Sequence, residues 1–431
     1  VAPDGRDRGP GSRRDPWATI EHAAEAVPDR GCTVWVLAGT YEGATTIERR
    51  FRQPITFRSL PLYRAELVAS ETVLDIDGAR NVAIEGFDIH HNGATDGYVV
   101  IIDRDAGSNI WSEDIVLRNN VIHDSRGDDL LKVHNGVRRA LVTGNLFFNQ
   151  GDNEQHIDVN SVTDVTISNN VFFNDLPDGE DRKAFIVVKD SNEGDDGLLG
   201  SRRVRIARNV FLGYQGGNES FVQLGNDGKA YFEVDGVSVE SNLFVGDSDD
   251  EVNAPLGVRG GRNIRFVNNT VVGDLPSEAY GLWASTTGDN PMNRDLLLAN
   301  NIWSDPTGSM SPLTTGRSTV DLELTNNLYW NGERRLPGGE LAEPTDDRRR
   351  VVGDPELPPL RGLEPPQFDA GRFASGSVSI RHEFLRLVRR AGMIGATSVA
   401  VDAAAASLAP ITDITGRRRD RAPDLGAYEA Q

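Results

Sequence analysis

Lysine is rare in this chain of 431 residues: 45 residues are Lys or Arg, and Lys132, Lys183, Lys189 and Lys229 are the only lysines. Two of them, Lys132 and Lys189, fall in short segments of alternating apolar residues that share a layout. The segments are Asp128-Asp129-Leu130-Leu131-Lys132-Val133-His134-Asn135, Gln155-His156-Ile157-Asp158-Val159-Asn160, Phe185-Ile186-Val187-Val188-Lys189-Asp190, Phe221-Val222-Gln223-Leu224-Gly225 and Leu256-Gly257-Val258-Arg259. With the aliphatic residues pointing inward, alternation sends Lys132, His134, His156, Asp158, Asn160, Lys189, Gln223 and Arg259 outward onto one face.

Each residue type on that face has a chemistry. A lysine buried beside other cations can approach neutrality in its pKa and act as a general base, which arginine cannot do. The plainer reading is that Lys132 and Lys189 pair with Asp129, Asp158 or Asp190 in neighbouring segments. Asp128 and Asp129 open the first segment, with Asp158 in the next and Asp103 in the one before. Clustered carboxylates are hard oxygen donors of the kind calcium takes, so Asp128, Asp129 and Asp158 are the candidate metal ligands. His134 and His156 could move protons near neutral pH, and a hydrogen-bonded structural role suits them as well. His90, His91 and His123 lie at bends and are assigned structural roles, while Asp195-Asp196 and Asp247 to Asp250 read as solvated insertions.

A repeat positions these segments. From about residue 80 to 330 the chain returns to an apolar alternation that ends in asparagine, as in Val116-Leu117-Arg118-Asn119-Asn120-Val121 and Val165-Thr166-Ile167-Ser168-Asn169-Asn170-Val171. The last asparagines are Asn120, Asn145, Asn170, Asn209, Asn242, Asn269, Asn301 and Asn327. The shortest steps are 25 residues, and the longer ones carry insertions. Strand-like alternation with that period predicts an all-β solenoid, a right-handed parallel β-helix whose coils bury their inner faces only by stacking. Asparagines at successive bends tolerate left-handed backbone and can hydrogen-bond from coil to coil as a ladder. Residues 1–45 read as an N-terminal cap, with a helix signalled from Asp15-Pro16-Trp17 to Val27. Residues 46–332 read as the coils, and residues 333–431 as a loop-rich segment that packs along the solenoid or caps it.

Composition excludes several classes. A formal net charge of -20 argues against binding nucleic acid through its phosphates, and runs such as Arg348-Arg349-Arg350 do not offset it. No apolar run approaches the roughly 18 residues of a membrane span. The lone cysteine, Cys32, excludes an internal disulfide framework and reads as a small core residue. Any anionic ligand would need a bound cation or a local basic patch.

Pro16-Trp17-Ala18-Thr19-Ile20, Val34-Trp35-Val36-Leu37-Ala38-Gly39-Thr40-Tyr41, the asparagine coils and the closing Leu425-Gly426-Ala427-Tyr428-Glu429 resemble secreted bacterial β-helix proteins of the pectate-lyase-like superfamily. The resemblance spans nearly the whole chain. It implies an extracellular enzyme acting on an acidic, uronate-containing polysaccharide, expected to be a monomer, with its signal peptide already removed ahead of Val1. In a lyase of this kind a cation, here calcium, neutralises the uronate carboxylate. Lys189 or Lys132 takes the C5 proton, and His156 or Arg259 assists the departing oxygen at C4. His134, Asn160 and Gln223 would bind the sugar, and Trp283 and Tyr214 are placed where aromatic rings could stack on it.

A weaker resemblance is to polygalacturonase-like hydrolases, through Thr95-Asp96-Gly97, Gly127-Asp128-Asp129, His156 and Val187-Val188-Lys189 in order. That reading needs Asp96 and Asp128 or Asp129 on opposite sides of a glycosidic bond. A non-catalytic carbohydrate-binding or adhesion β-helix is the third reading.

Overall fold

The computed structural model describes residues 1–105, 107–176 and 182–430. Two parallel sheets make up the solenoid, one of 22 strands and one of ten. A typical coil contributes one strand to the ten-stranded sheet and two, separated by the asparagine bend, to the larger one. Strands Leu131–His134, Leu141–Thr143 and Leu146–Phe148 form one coil, and Ile157–Asn160, Thr166–Ser168 and Val171–Phe173 form the next. Their register is direct: Leu131 pairs with Ile157, Val142 with Ile167 and Phe147 with Phe172. The fold is the expected parallel β-helix.

The coils bury their inner face as columns of like residues. Phe147, Phe172, Phe211 and Phe244 stack with ring centroids 5.1, 4.9 and 4.8 Å apart, and Phe266 and Trp303 extend the column. The asparagine ladder is continuous from Asn120 to Asn327. Each side chain donates to the Oδ1 of the next asparagine at 2.9–3.2 Å, and that same oxygen accepts the backbone N–H of the preceding one. Asp347 ends the ladder, accepting from Asn327 Nδ2 at 2.9 Å and from the backbone N–H groups of Asn326 and Asn327. The left-handed backbone falls on the residue before each ladder asparagine, for example Asn119 at φ 56° and Asn169 at φ 58°. This explains why so many bends read Asn-Asn: the first takes the strained φ and the second bonds the coils.

The ends depart from expectation in length. The first helix spans Ile20–Ala26 rather than starting at Asp15-Pro16, because Asp7 Oδ1 accepts the N–H groups of Ala18 and Thr19 and holds that stretch extended. Thr19 caps it, and Ile20, Ala23 and Ala24 enter the core. The coils run past residue 332, since Val351–Val352 still pairs with Leu328–Trp330. Leu336, Leu341 and Ala342 pack against the core beside Thr314–Gly316, the last strand of the ten-stranded sheet, and the C-terminal segment follows Val352. It lies along one outer face, where helix Ile380–Leu387 sets Ile380, Phe384 and Leu387 against Leu146, Val171, Val210 and Leu243. Strands such as Leu146-Phe147-Phe148 are apolar on both faces for this reason. The inner face meets the core and the outer one meets the tail. Among the described residues no helix is long and apolar enough to cross a membrane.

Candidate active site

The outer face of the ten-stranded sheet carries the polar residues that alternation sends outward. Register places Ile101, Lys132, Asp158, Val187, Gln223, Gly257 and Trp283 in one column. His134, Asn160 and Lys189 stand two residues along, in a second column. Lys132 and Lys189 therefore share a face without sharing a column, and they converge by leaning towards Asp158. A cavity of about 330 Å³ lies over this region, lined by Tyr98, Asp128, Lys132, Glu154, Asp158, Lys183, Lys189 and Gln223 among others. Three of the four lysines in the chain line it.

Asp158, 2% exposed, is the hub. Its Oδ2 accepts a hydrogen bond from Lys132 Nζ and lies 3.5 Å from Lys189 Nζ. Lys189 is also 3.6 Å from Asp227 Oδ1, and Lys132 is 3.6 Å from Asp129 Oδ2. Burial opposes the charge on both ammonium groups, but the carboxylates outweigh it and raise both pKa values, Asp158 contributing most in each case. Both lysines are firmly charged as the chain stands.

Asp129 and Glu154 are pushed up too, which for a carboxyl group favours the neutral form. Asp129 is almost fully buried, and burial with repulsion from Asp158 and Asp128 pushes its pKa well up. Its Oδ1 accepts the Gln155 N–H at 2.9 Å, whereas its Oδ2 has no hydrogen-bond partner among the described residues. Burial and the charge of Asp128 push Glu154 up to about 7. Asp128, Asp129 and Glu154 each offer an oxygen within 4.8 Å of the others. Hard oxygens, crowded negative charge and a buried carboxylate oxygen that accepts no hydrogen bond among the described residues fit a calcium ion. The candidate metal set is therefore Asp128, Asp129 and Glu154, and Asp158, the third ligand expected from sequence, belongs to the lysines instead.

Several expected residues stand elsewhere. His156 is not on the outer face: it is fully buried, with its ring 5.9 Å from Phe172 and 4.8 Å from Phe185, and its Nε2 bonds Asn174 Oδ1 at 3.1 Å. Burial pushes its pKa down to about 3. Two consecutive residues point inward where each strand begins, as Leu130 and Leu131, His156 and Ile157, and Phe185 and Ile186 do, so alternation assigns the first of each pair to the wrong side. Arg259 is outside the cavity lining. It lies two strands beyond Lys189, donates to Asn226 and places its guanidinium 4.5 Å from the centre of the Trp283 ring.

His134 is paired with Asp103 at 2.9 Å, and Asn160 is occupied by both the Ser191 hydroxyl and its N–H, so neither faces the cavity. Tyr214 is a core residue, 2% exposed. Gln223 lines the cavity as expected, and its buried Oε1 has no hydrogen-bond partner among the described residues. A Cβ on Gly257 would lie 2.2 Å from that oxygen, so glycine keeps the space open. Asp96 lines a separate cavity of about 380 Å³ with Asp75 and Glu71.

Glu154 and Lys183 were missed, yet a signal for them exists. Asp128, Glu154 and Lys183 each precede a register-matched residue, Lys132, Asp158 and Val187, by four positions, so they form a column of their own.

No protein-family model matches the chain, and no curated protein matches it. Solved structures do. Pectate lyase Pel9A aligns with a TM-score of 0.55 and 15% identity over 100% of this chain and 96% of that one. The complex of XylC with xylose aligns with a TM-score of 0.53 and 11% identity, covering 100% and 98%. A rhamnogalacturonan lyase aligns with a TM-score of 0.53 and 14% identity, covering 91% and 95%. Near-complete coverage of both partners at such low identity is likeness of backbone. The chain has the fold of the pectate-lyase-like parallel β-helix proteins.

Proposed function

We propose that the protein is an extracellular polysaccharide lyase that cleaves a uronate-containing polymer by β-elimination. The observation that carries this reading is the convergence of Lys132, Lys183 and Lys189 on one cavity beside the Asp128, Asp129 and Glu154 oxygens. In a chain of net charge -20, this is a place where a polyanion meets cations. The names of the pectate lyase and rhamnogalacturonan lyase that share the fold support the same class of substrate.

Asp128, Asp129 and Glu154 would hold a calcium ion, which when bound neutralises the uronate carboxylate and makes the C5 proton more acidic. Lys189 is the base. Neither of its carboxylate neighbours, at 3.5 and 3.6 Å, is as close as the hydrogen bond that ties Lys132 to Asp158. Neutralising the carboxylates around Lys189 lowers the cost of its losing a proton. Lys132 stays charged and holds Asp129 and Asp158 in place. Lys183, on the same wall, supplies the cation or proton at the departing C4 oxygen, a role that neither the buried His156 nor Arg259, turned to Asn226 and Trp283, fills.

Inverting hydrolysis is disfavoured. Asp96 opens into a different cavity, His156 is in the core, and the carboxylate oxygens of Asp128, Asp129 and Glu154 are closer than the roughly 6.5–9.5 Å that accommodates an attacking water. Incubation with pectate, alginate, glucuronan and glycosaminoglycans, with and without calcium, tests the proposal. Ultraviolet absorbance from an unsaturated product supports elimination. New reducing ends without that absorbance would indicate a hydrolase, and no turnover of any uronate polymer would indicate a binding protein.

A further inference from the structure

A second constellation lies on the other sheet, away from the lysines. Strands Arg50–Ala69, Asp88–His91 and Val121–His123 stack so that Glu66 pairs with Asp88 in register, and His90 with His123. Asp88 and His90 are two residues apart and share a face. Glu66, Asp88, His90 and His123 therefore form a compact patch spanning three coils. They line a cavity of about 660 Å³ beneath the ribbon of Phe368–Asp369 and Arg372–Phe373. Sequence assigns His90 and His123 to bends with structural roles; the fold instead brings them together, with ring centres 4.6 Å apart.

We propose that Asp88, His90 and His123, with Glu66 completing the set, bind a first-row divalent metal of the zinc class. The argument rests on what each ring nitrogen faces. His90 Nδ1 is 3.0 Å from the His91 carbonyl oxygen, which can only accept, so Nδ1 carries a proton. His123 Nδ1 is 3.0 Å from Asp124 Oδ2 and is likewise a donor. In both rings Nε2 is left for a ligand, and both Nε2 atoms face carboxylates: His90 to Glu66 Oε1 at 2.9 Å, His123 to Asp88 Oδ1 at 2.8 Å. Two imidazole nitrogens turned towards two carboxylate oxygens need either shared protons or a cation between them.

The supporting groups are those that fix metal-binding histidines. Asp124 is held by Asn149 Nδ2 at 2.8 Å, Glu66 by the Thr40 hydroxyl at 2.7 Å, and the Phe148 ring stacks on His123 at 4.6 Å with an 8° tilt. The Asp88, His90 and His123 ligand atoms lie within 4.8 Å of one another. Zinc ligands at about 2.0–2.2 Å stand roughly 3.4 Å apart around a tetrahedron, so side-chain rotation alone closes the site. Mixed nitrogen and oxygen donors select this class over calcium, which sets the patch apart from the all-oxygen cluster by the lysines. On binding, the protons between each Nε2 and its carboxylate leave to solvent, and the metal–nitrogen and metal–oxygen bonds replace those hydrogen bonds.

The test uses the full chain, stripped with a chelator and kept in excess calcium so that all-oxygen sites are filled. Titration with Co²⁺ should show one saturable equivalent with visible d–d absorption, displaced by Zn²⁺. His123→Gln should abolish it, Asp124→Asn should weaken it by about 10–100-fold, and Asp128→Asn should leave it unchanged. X-ray absorption of the zinc form of the unaltered protein should show two imidazoles. Absence of a saturable equivalent, an all-oxygen coordination shell, or loss in Asp128→Asn equal to that in His123→Gln would overturn the proposal. None of these readouts depends on lyase activity.

Discussion

Lys189 Nζ lies 3.5 Å from Asp158 Oδ2, across one coil of the solenoid, and the same oxygen accepts a hydrogen bond from Lys132 Nζ. One nearly buried carboxylate thus holds two ammonium groups that would otherwise repel each other at the floor of the cavity. Asp158→Asn removes the largest influence that raises both lysine pKa values. If Lys189 is the base, the acidic limb of the rate–pH profile moves to lower pH in this variant, because a base of lower pKa is deprotonated sooner. The profile is read from product absorbance. An unmoved limb would remove Lys189 from that role.

Calcium should raise the melting temperature of the unaltered protein, by mass action alone: about 2.7 kcal/mol at a free concentration 100 times the dissociation constant. Asp129→Asn and Glu154→Gln each take a charged oxygen from the cluster and should abolish most of that shift. Asp158→Asn should keep it. Differential scanning calorimetry with calcium and with chelator distinguishes the three variants.

His156 supplies a pH prediction of opposite character. Its folded pKa, about 3, lies below the unfolded value near 6.5. Above pH 6.5 the ring is neutral in both states and contributes no pH dependence. As pH falls from 6.5 towards 3 the unfolded chain takes up a proton that the folded chain refuses, so stability is lost at up to about 1.4 kcal/mol per pH unit. His156→Phe matches the Phe185 position in the next coil and should flatten the melting temperature between pH 6.5 and 4 while leaving turnover intact. Loss of turnover with the fold preserved would return His156 to the active site.

The ladder can be broken at one rung. Asn209→Ala leaves the Asn170 N–H buried without its partner and takes one of the donors from the Ile167 carbonyl, which stays within the strand ladder. One orphaned backbone N–H costs about 1–3 kcal/mol. Denaturant unfolding would measure this, and a cost near zero would mean that neighbouring coils close over the gap.

The repeat was legible because it is written in the most regular part of the physics. Alternation at period two marks which residues of a strand share a face, and a buried asparagine recurs wherever one coil must be bonded to the next. Lys132, Lys189, Asp158 and Gln223 were found on that basis and Asp128 and Asp129 as adjacent carboxylates; five of the six line one cavity, and Asp129 lies 3.6 Å from Lys132. Glu154 and Lys183 were overlooked because they precede the strands, where no alternation marks them. They are recoverable by counting four residues back from each register partner.

What the sequence by itself determined is the solenoid, its asparagine ladder and the face that carries the lysines, because these depend only on local periodicity. The tertiary structure alone decided that His156 turns into the core, that Asp158 serves two lysines rather than a metal, that His90 meets His123 across adjacent coils, and that the tail covers Leu146, Val171 and Leu243. Each of those outcomes depends on which residues meet between coils, and on bends where two successive side chains point the same way. Insertions of different length between coils shift the partners, and spacing along the chain carries no record of that shift.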